Sequence, residues 1–454
     1  MKKVACIVCN YNKREFVVNC VKSLLEQTMG GLDIFVVDNA SMDGSVDMLK
    51  EWYMDQIKVI VNRENLGGSG GFNTGLKLVL ETCIYEYVVL IDNDVFLEKS
   101  AIQNMYDYME MHKDVGILGP KILQMAHPDT VQDLGGSINE RYKMCGNYNG
   151  VKDEGLPDEL DCAYISTCTA MARVDAVKRF GLMPEENFIY WDDVEWSKKC
   201  QLAGYRTVAI STASVWHNHS NVEEPSCFTK YYLTRNMLKF FSKYLDDSEI
   251  DTFKEKIMEE IYTLQFMLAY QGASELSEAV MFAWKDFLDH KYGKADSWKI
   301  QIQGKYDSSF VRAFEAKKIV LHGDELSGFP HAMTDVFFNR LQKIRNVSFF
   351  IVDTACEEII RCMKKYNIQY TVISSSEVRS ENEEYHTLSY CDHIKGVNHM
   401  ENNQIYMDVF LNCISSQEEF AYLKRFRILF NEFKIKNAAD FEKSVMKLRE
   451  VKDE

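Results

Sequence analysis

Over the first 125 residues, short apolar runs alternate with stretches whose apolar side chains recur every three or four positions. Such runs are buried strands and such spacing is one face of a helix, so the rhythm predicts βαβ units around a mostly parallel sheet. Val4–Cys9 is the first strand, and Phe16, Cys20, Val21, Leu24 and Leu25 share one face of the helix after it. Ile34–Val37, Lys58–Val61, Tyr87–Ile91 and Gly116–Ile122 are the next four strands, with Val46, Leu49 and Tyr53 marking a second helix and Phe72, Leu76, Val79 and Cys83 a third. Residues 125–160 turn polar and rich in glycine, which predicts a loop. Cys162–Arg173 predicts a further strand, followed by a helix that stops at Gly181. From 241 to 295 the pattern is helical, Phe253, Ile257, Ile261, Leu264 and Leu268 stepping round one face. Beyond about 315 a second α/β rhythm begins, with strands at Lys318–Leu321, Val347–Val352 and Tyr370–Ile373. The expected organisation is therefore a Rossmann-like α/β domain over 1–240, a helical segment over 241–314 and a smaller α/β domain of unknown role over 315–454.

Composition narrows the function. The chain has 454 residues, 68 acidic and 52 basic, for a formal charge of −16. So acidic a protein is a poor partner for nucleic acid, whose phosphates are met by stripes of Lys and Arg. The apolar run at the N-terminus is too short for a secretion signal and no stretch is long enough to span a membrane, so a cytoplasmic location is expected. The 13 cysteines, an odd number, then read as reduced thiols, and Cys6-x-x-Cys9 lies inside a strand pattern where buried thiols outweigh a redox or zinc motif.

Acidic and amide side chains gather where strands end, the place at which open α/β sheets bind ligands. Asp38-Asn39-Ala40-Ser41-Met42-Asp43-Gly44-Ser45 follows the second strand, and turn and capping work reads as well there as ligand binding. Asp92-Asn93-Asp94 follows the fourth strand, and two carboxylates one residue apart can both reach one Mg²⁺ or Mn²⁺. D-x-D is common by chance; its place after a buried strand gives it weight. Asn65-Leu66-Gly67-Gly68-Ser69-Gly70-Gly71-Phe72 opens a helix, where backbone N–H groups can approach an anion or sugar, although a plain strand–helix turn also uses glycine. It is not the dinucleotide fingerprint, which belongs after the first strand.

Tyr190-Trp191-Asp192-Asp193-Val194-Glu195-Trp196 sets two carboxylates among aromatic rings, a half-apolar setting that raises a carboxylate toward the range of a general base. Helix capping by either aspartate, with Glu195 in the first turn, is the alternative. Trp216-His217-Asn218-His219 ends another apolar run and offers a histidine to a metal. Arg235, in Tyr231-Tyr232-Leu233-Thr234-Arg235-Asn236, is either a diphosphate partner or an ordinary helix-surface arginine.

The order Cys9-Asn10-Tyr11-Asn12, V-D-N-A-S-x-D-G-S, N-L-G-G-S-G-G-F-N-x-G, D-x-D, W-D-D-V-E-W, W-H and Y-Y-x-x-R-N resembles glycosyltransferase family 2, over about the first half of the chain. The wording is similar to that of bacterial galactofuranosyltransferases and rhamnosyltransferases that build cell-surface polysaccharide, and W-D-D with W-H leans to the galactofuranosyl branch. The resemblance implies a GT-A fold, an inverting transfer, a nucleotide-diphosphate sugar donor and Mn²⁺ or Mg²⁺. It also implies a glycan or lipid-linked glycan acceptor, which would bring peripheral membrane association.

Carried over by motif, Asp38 contacts the base and Asp92 the ribose or metal. Asp94 and His217 hold the metal, Asp193 is the general base, and Asp192 holds sugar or acceptor against Trp191. Asn39, Asn65, Gly67 and Gly68 fall on the donor side, and Gly70 and Gly71 on the sugar. Two rivals remain. A nucleotidyltransferase would carry a glycine- and basic-rich signature near the first strand, and a non-catalytic binding protein would not need all three acidic positions. If Asp38, Asp43, Asp92, Asp94, Asp192, Asp193 and Glu195 gather at one end of one sheet, a diphosphate enters only with a divalent cation.

Overall fold

The computed structural model describes residues 3–218, 226–300, 309–315, 317–322, 329, 331–352, 357–374, 385–408 and 411–450. His219 lies outside them. They form two compact units, one made of 1–246, 283–300 and 444–454 and the other of 247–282 and 301–443.

The first unit follows the predicted rhythm. Its elements run β1 (Lys3–Asn10), α1 (Arg14–Leu25), β2 (Leu32–Asp38), α2 (Ser45–Tyr53), β3 (Lys58–Val61), α3 (Gly67–Thr82) and β4 (Tyr85–Asp92). Then come β5 (Val95–Leu97), α4 (Ala101–Met111), β6 (Val115–Gln124), β7 (His127–Asp133), β8 (Gly136–Ile138), β9 (Met144–Gly146) and β10 (Glu159–Asp161). The unit continues through β11 (Thr169–Arg173), α5 (Val174–Phe180), α6 (Asp192–Leu202), β12 (Arg206–His217) and α7 (Cys227–Tyr244).

The sheet order is β10-β12-β6-β11-β4-β1-β2-β3. Strands β3, β2, β1 and β4 are parallel neighbours, β11 enters antiparallel between β4 and β6, and β12 is parallel to β6. Alternate residues of β1 serve opposite faces: Val4, Cys6 and Val8 pack with Val17, Cys20, Val21 and Leu49, whereas Ala5 and Ile7 pack with Phe72, Leu76 and Val177. Helices thus cover both faces, as the unbroken apolar strand runs require.

Two expectations are corrected. Residues 125–160 hold β7–β10, short antiparallel pieces whose mixed exposure hides the period of two. Of the strand expected over 162–173, only 169–173 is strand; the preceding residues are buried but bend and turn, so their apolar run reflects burial and not a ladder. The cysteines among the described residues are free thiols; Cys6 and Cys9, three apart on one strand, face opposite sides of the sheet.

The second unit contains the helix Asp247–Tyr270 and a six-stranded sheet built on Lys318–Leu321, Ser348–Val352 and Tyr370–Ile373, where the sequence places strands, plus Tyr385–Tyr390, Gln404–Met407 and Cys413–Ile414. Its five-strand parallel core and buried Ile319, Leu321, Ile351, Leu388 and Ile405 make it an α/β unit of its own.

Candidate active site

The D-x-D triplet sits where strand β4 ends and β5 turns back. His217, the last residue of β12, pairs with Val95 in antiparallel register, which carries its ring to Asp94. One ligand atom each from Asp92, Asp94 and His217 lies within 4.8 Å of the others. His217 Nε2 is 3.4 Å from Asp94 Oδ1, and Nδ1 is 3.1 Å from Gln132 Oε1. An amide oxygen only accepts, so Gln132 holds a proton on Nδ1, and Nε2, which faces the aspartates and donates to Asp94, is the nitrogen that would give up its proton to a metal ion. The Lys13 ammonium donates to the other oxygen of Asp94 at 2.5 Å.

Burial and the neighbouring Asp94 charge push the Asp92 carboxyl up. Burial would raise Asp94 too, but hydrogen bonds from His217 and Lys13 outweigh it and hold that carboxyl below the usual range. His217 is driven up: burial opposes its charge, but the hydrogen bond to Asp94 and the charges of Asp92, Asp94 and Asp133 win. Mutual repulsion of this kind is what a cation relieves, and two carboxylates with one imidazole nitrogen suit Mn²⁺ or Mg²⁺. The residues present fit the metal.

The second acidic cluster opens α6, whose cap position is Trp191 and not an aspartate. Asp192 is buried and accepts a hydrogen bond from Ser69 Oγ at 2.9 Å. Asp193 is half-buried, and among the described residues its carboxylate accepts from the Val194 N–H alone, at 2.8 Å. Burial, then the charge of Asp192, raises its carboxyl to about 8. One acid is thus held by the protein and its neighbour is left with an oxygen to offer.

Asp133 is the acid that sequence reading missed. Its carboxyl accepts the Gly135 N–H, interacts with the charge of His217, and is lifted to about 7 by burial. Asp133 and Asp193 both lie near enough to Tyr164, and to each other, for their charges to be felt. Gln132 and Asp133 lie in the stretch read as loop, where no periodicity could mark them. Ser69 stands inside a quoted motif and Lys13 directly after one, but nothing in their spacing reveals their partners.

The structure gives several motif residues different work. Asp38 has no exposed surface; Asn10 Nδ2 donates to one oxygen at 2.8 Å and the Ser41 N–H to the other at 2.8 Å. Asn10 in turn accepts from Asn93 Nδ2 at 2.8 Å, so a buried amide chain ties the ends of β1, β2 and β4 together. Asn39 donates to Gly67 O at 2.7 Å and accepts from Asn62, and Asn65 accepts the Gly67 N–H. Asp43 accepts from the Arg14 and Ser45 N–H groups, which is turn and cap work. Neither Asp43 nor Glu195 joins the cluster.

The glycines lie inside α3, not in a loop before it. A Cβ on Gly71 would come 2.4 Å from Cys9 Sγ, one on Gly70 2.6 Å from Leu66 Cβ, and one on Gly75 2.6 Å from Ile7. Gly70 and Gly71 therefore serve close packing rather than sugar contact. Gly68 alone looks toward the acids, its Cβ position 3.6 Å from Asp192 Oδ2. Gly67 adopts φ +76°, with Phe188 O 2.0 Å from its Cβ position.

Trp191 and Arg235 are corrected most. Trp191 is buried against Phe240 and Phe241 and has no face for a sugar. Arg235 is 1% exposed. Its N–H groups go to Asn236 Oδ1, Tyr231 OH and the carbonyls of Gly293, Glu186 and Asn187, which leaves none for a diphosphate.

Residues 5–178 match the family model described as Glycosyl transferase family 2. The galactofuranosyltransferase GlfT2 of Mycobacterium tuberculosis is 23% identical over 204 residues, covering 41% of this chain and 32% of its own. Chondroitin synthase of Escherichia coli is 32% identical over 108 residues, covering 24% and 15%. The chain spans about a third or less of the length of these two curated relatives. A solved mannosyltransferase, PcManGT from Pyrobaculum calidifontis in complex with GDP-Man and Mn²⁺, aligns over 62% of this chain and 74% of its own, at 17% identity and a TM-score of 0.40. The first unit is a mixed α/β sheet with acids at its strand ends. The N-terminal region of the chain, residues 5–178, is thus similar to glycosyltransferase family 2.

Proposed function

We propose that the protein is a metal-dependent, inverting glycosyltransferase that moves a sugar, galactofuranose or rhamnose favoured, from a nucleotide-diphosphate donor to a hydroxyl of a growing cell-surface glycan. The observation that carries this reading is the division of labour among the acids. Asp92, Asp94 and His217 converge on one point, and Asp193 stands apart from them with a free oxygen and a raised affinity for protons.

A divalent ion held by Asp92, Asp94 and His217 supplies charge to balance the leaving diphosphate. The protein's own residues do the rest. Asp193 takes the proton of the acceptor hydroxyl as that oxygen attacks the anomeric carbon from the face opposite the diphosphate. Attack and departure on opposite faces in one displacement invert the centre. Asp192, held by Ser69, fixes the start of α6 and so the direction of Asp193. Asp133 and Tyr164, within electrostatic reach of Asp193, would meet sugar hydroxyls. Among the described residues no helix is long and apolar enough to cross a membrane.

The test is a panel of nucleotide sugars, with and without Mn²⁺, read by thermal shift and by sugar transfer or donor hydrolysis. A donor that raises the melting temperature only with Mn²⁺ supports the reading. Transfer undiminished by EDTA sinks the metal role, and no response to any donor sinks the activity.

A further inference from the structure

The Y-Y-x-x-R-N motif finds no role at the donor, yet its last two side chains are among the most heavily bonded in the first unit. Both point at one segment, Asn187–Trp191, which leads directly into Asp192 and Asp193. Asn236 Nδ2 donates to the carbonyls of Asn187 (2.9 Å), Ile189 (2.8 Å) and Tyr190 (3.0 Å). Arg235 Nη2 donates to the carbonyls of Asn187 at 3.1 Å and Glu186 at 3.4 Å, and its Nε donates to Asn236 Oδ1 at 3.0 Å.

That segment is strained. Phe188 has φ +67° and ψ −54°, and the Ile189 N–H bonds back to Asn187 O at 2.8 Å, which is the rare γ-turn of positive φ. Tyr190 at φ +61° and Trp191 at φ +63° follow in the left-handed region. Three bulky residues at positive φ within four positions cost on the order of 1–3 kcal/mol each, and persist only where the surroundings over-determine them.

Helix α7 supplies those surroundings. Tyr232 stacks on Phe188 at 5.3 Å, Phe228 meets Tyr190 at 6.4 Å, and Phe240 and Phe241 take Trp191. Lys239 Nζ reaches Asn187 Oδ1 at 2.7 Å on the segment and Glu195 Oε2 at 2.9 Å on α6. On the other side, Gly67 admits the Phe188 carbonyl where any Cβ would block it.

We propose that Arg235 and Asn236 are positioning residues: they clamp the strained Asn187–Trp191 segment in the one conformation that aims Asp193 at the acceptor. Strain needs an external hold, and here it comes from a separate helix, with Arg235 and Asn236 gripping the main chain while neighbouring residues of α7 pack on the segment's side chains. The inference rests on Asp193 being the base.

Asn236→Asp tests it, since it keeps the acceptor for Arg235 and removes the three-carbonyl donor. The expected result is a fall in kcat of about 100-fold, the scale of an ångström's misplacement, with donor KM and Mn²⁺-dependent donor binding within about twofold of wild type. Adding Tyr190→Gly, which takes φ +61° without strain, should then restore kcat at least several-fold. If Asn236→Asp does not fold, Asn236→Ser, which buries no charge, is read the same way. Wild-type kcat in the variant, a parallel loss of kcat and donor binding, or no recovery from the glycine would each overturn the clamp. If the wild-type protein itself moves no sugar, the glycosyltransferase reading fails and hydrogen exchange decides the clamp. Faster exchange confined to residues 187–195 in Asn236→Asp supports it, and unchanged exchange overturns it.

Discussion

Ser69 and Asp192 stand 123 positions apart in the chain and 2.9 Å apart in the fold. Their hydrogen bond joins the first turn of α3 to the first residue of α6 and takes up one oxygen of the acid pair. It separates the two aspartates by function, one bound by the protein and one free. Asp193→Asn should abolish transfer while donor binding persists. Ser69→Ala should lower transfer by roughly tenfold and stability by about 1 kcal/mol, the net worth of one buried hydrogen bond. Isothermal titration with the donor and a transfer assay separate the two; full turnover by Asp193→Asn would refute the assignment.

The raised Asp193 carboxyl has a sign that can be checked twice. A base works only when ionised, so kcat/KM for the free enzyme should climb as pH rises through about 8. Because the folded state holds this proton where the unfolded chain, at its ordinary 3.8, has released it, the site costs stability as pH rises from about 4 to 8. Asp193→Asn removes that cost. Its melting temperature should therefore exceed wild type by a few degrees at pH 8 and match it near pH 4, and equal shifts at both would count against the burial account.

Gln132 orients His217 without touching the metal position. Replacing it with Ala should weaken Mn²⁺ binding by roughly 10–100-fold, and Asp94→Ala should abolish the Mn²⁺-dependent thermal shift altogether. Mn²⁺ titrations on both variants are the measurement, and wild-type affinity in Asp94→Ala would remove the site.

Glu195 shows the opposite electrostatics. It is buried, yet Lys239 and Lys243 hold its carboxyl down to about 2 against an ordinary 4.5. A depressed acid stabilises the fold above its unfolded value, so about 3 kcal/mol should be present above pH 4.5 and lost as pH falls toward 2. Glu195→Gln leaves two lysines facing a neutral amide and should destabilise the protein by roughly 3–5 kcal/mol at pH 7 while flattening the acid limb. Denaturant melts at pH 7 and pH 3 give both numbers.

Gly71→Ala should destabilise by roughly 1–3 kcal/mol, because its methyl would lie 2.4 Å from Cys9 Sγ. Cys9→Ala opens that space, so the double variant should recover most of the loss. An additive double variant would show that Asn39, 3.0 Å from the same point, sets the limit instead.

The β-strands of the first unit were legible because burial on both faces writes an unbroken apolar run into each of them, and helix faces because the 3.6 period does the same. Asp92, Asp94, Asp193 and His217 could be chosen because strand ends and acid pairs are local features. Residues 125–160 were opaque, since short strands with one wet face carry too few residues to display a period. That Gly70, Gly71, Trp191 and Arg235 are packed or bonded within the protein was hidden for a related reason: a motif records which residues occur, not whether each faces the ligand or the protein.

By itself, then, the sequence determined the alternation of buried strands and helices in the first unit and most of the acids that could do chemistry, Asp133 excepted, because periodicity and strand ends depend on neighbours in the chain. Only the tertiary structure decided which acids meet. It brings His217 and Gln132 to Asp94, spends Asp38 and Glu195 on internal bonds, and bends 187–191 against α7. Those choices depend on distances between residues tens to hundreds of positions apart, and on burial, which no local pattern encodes.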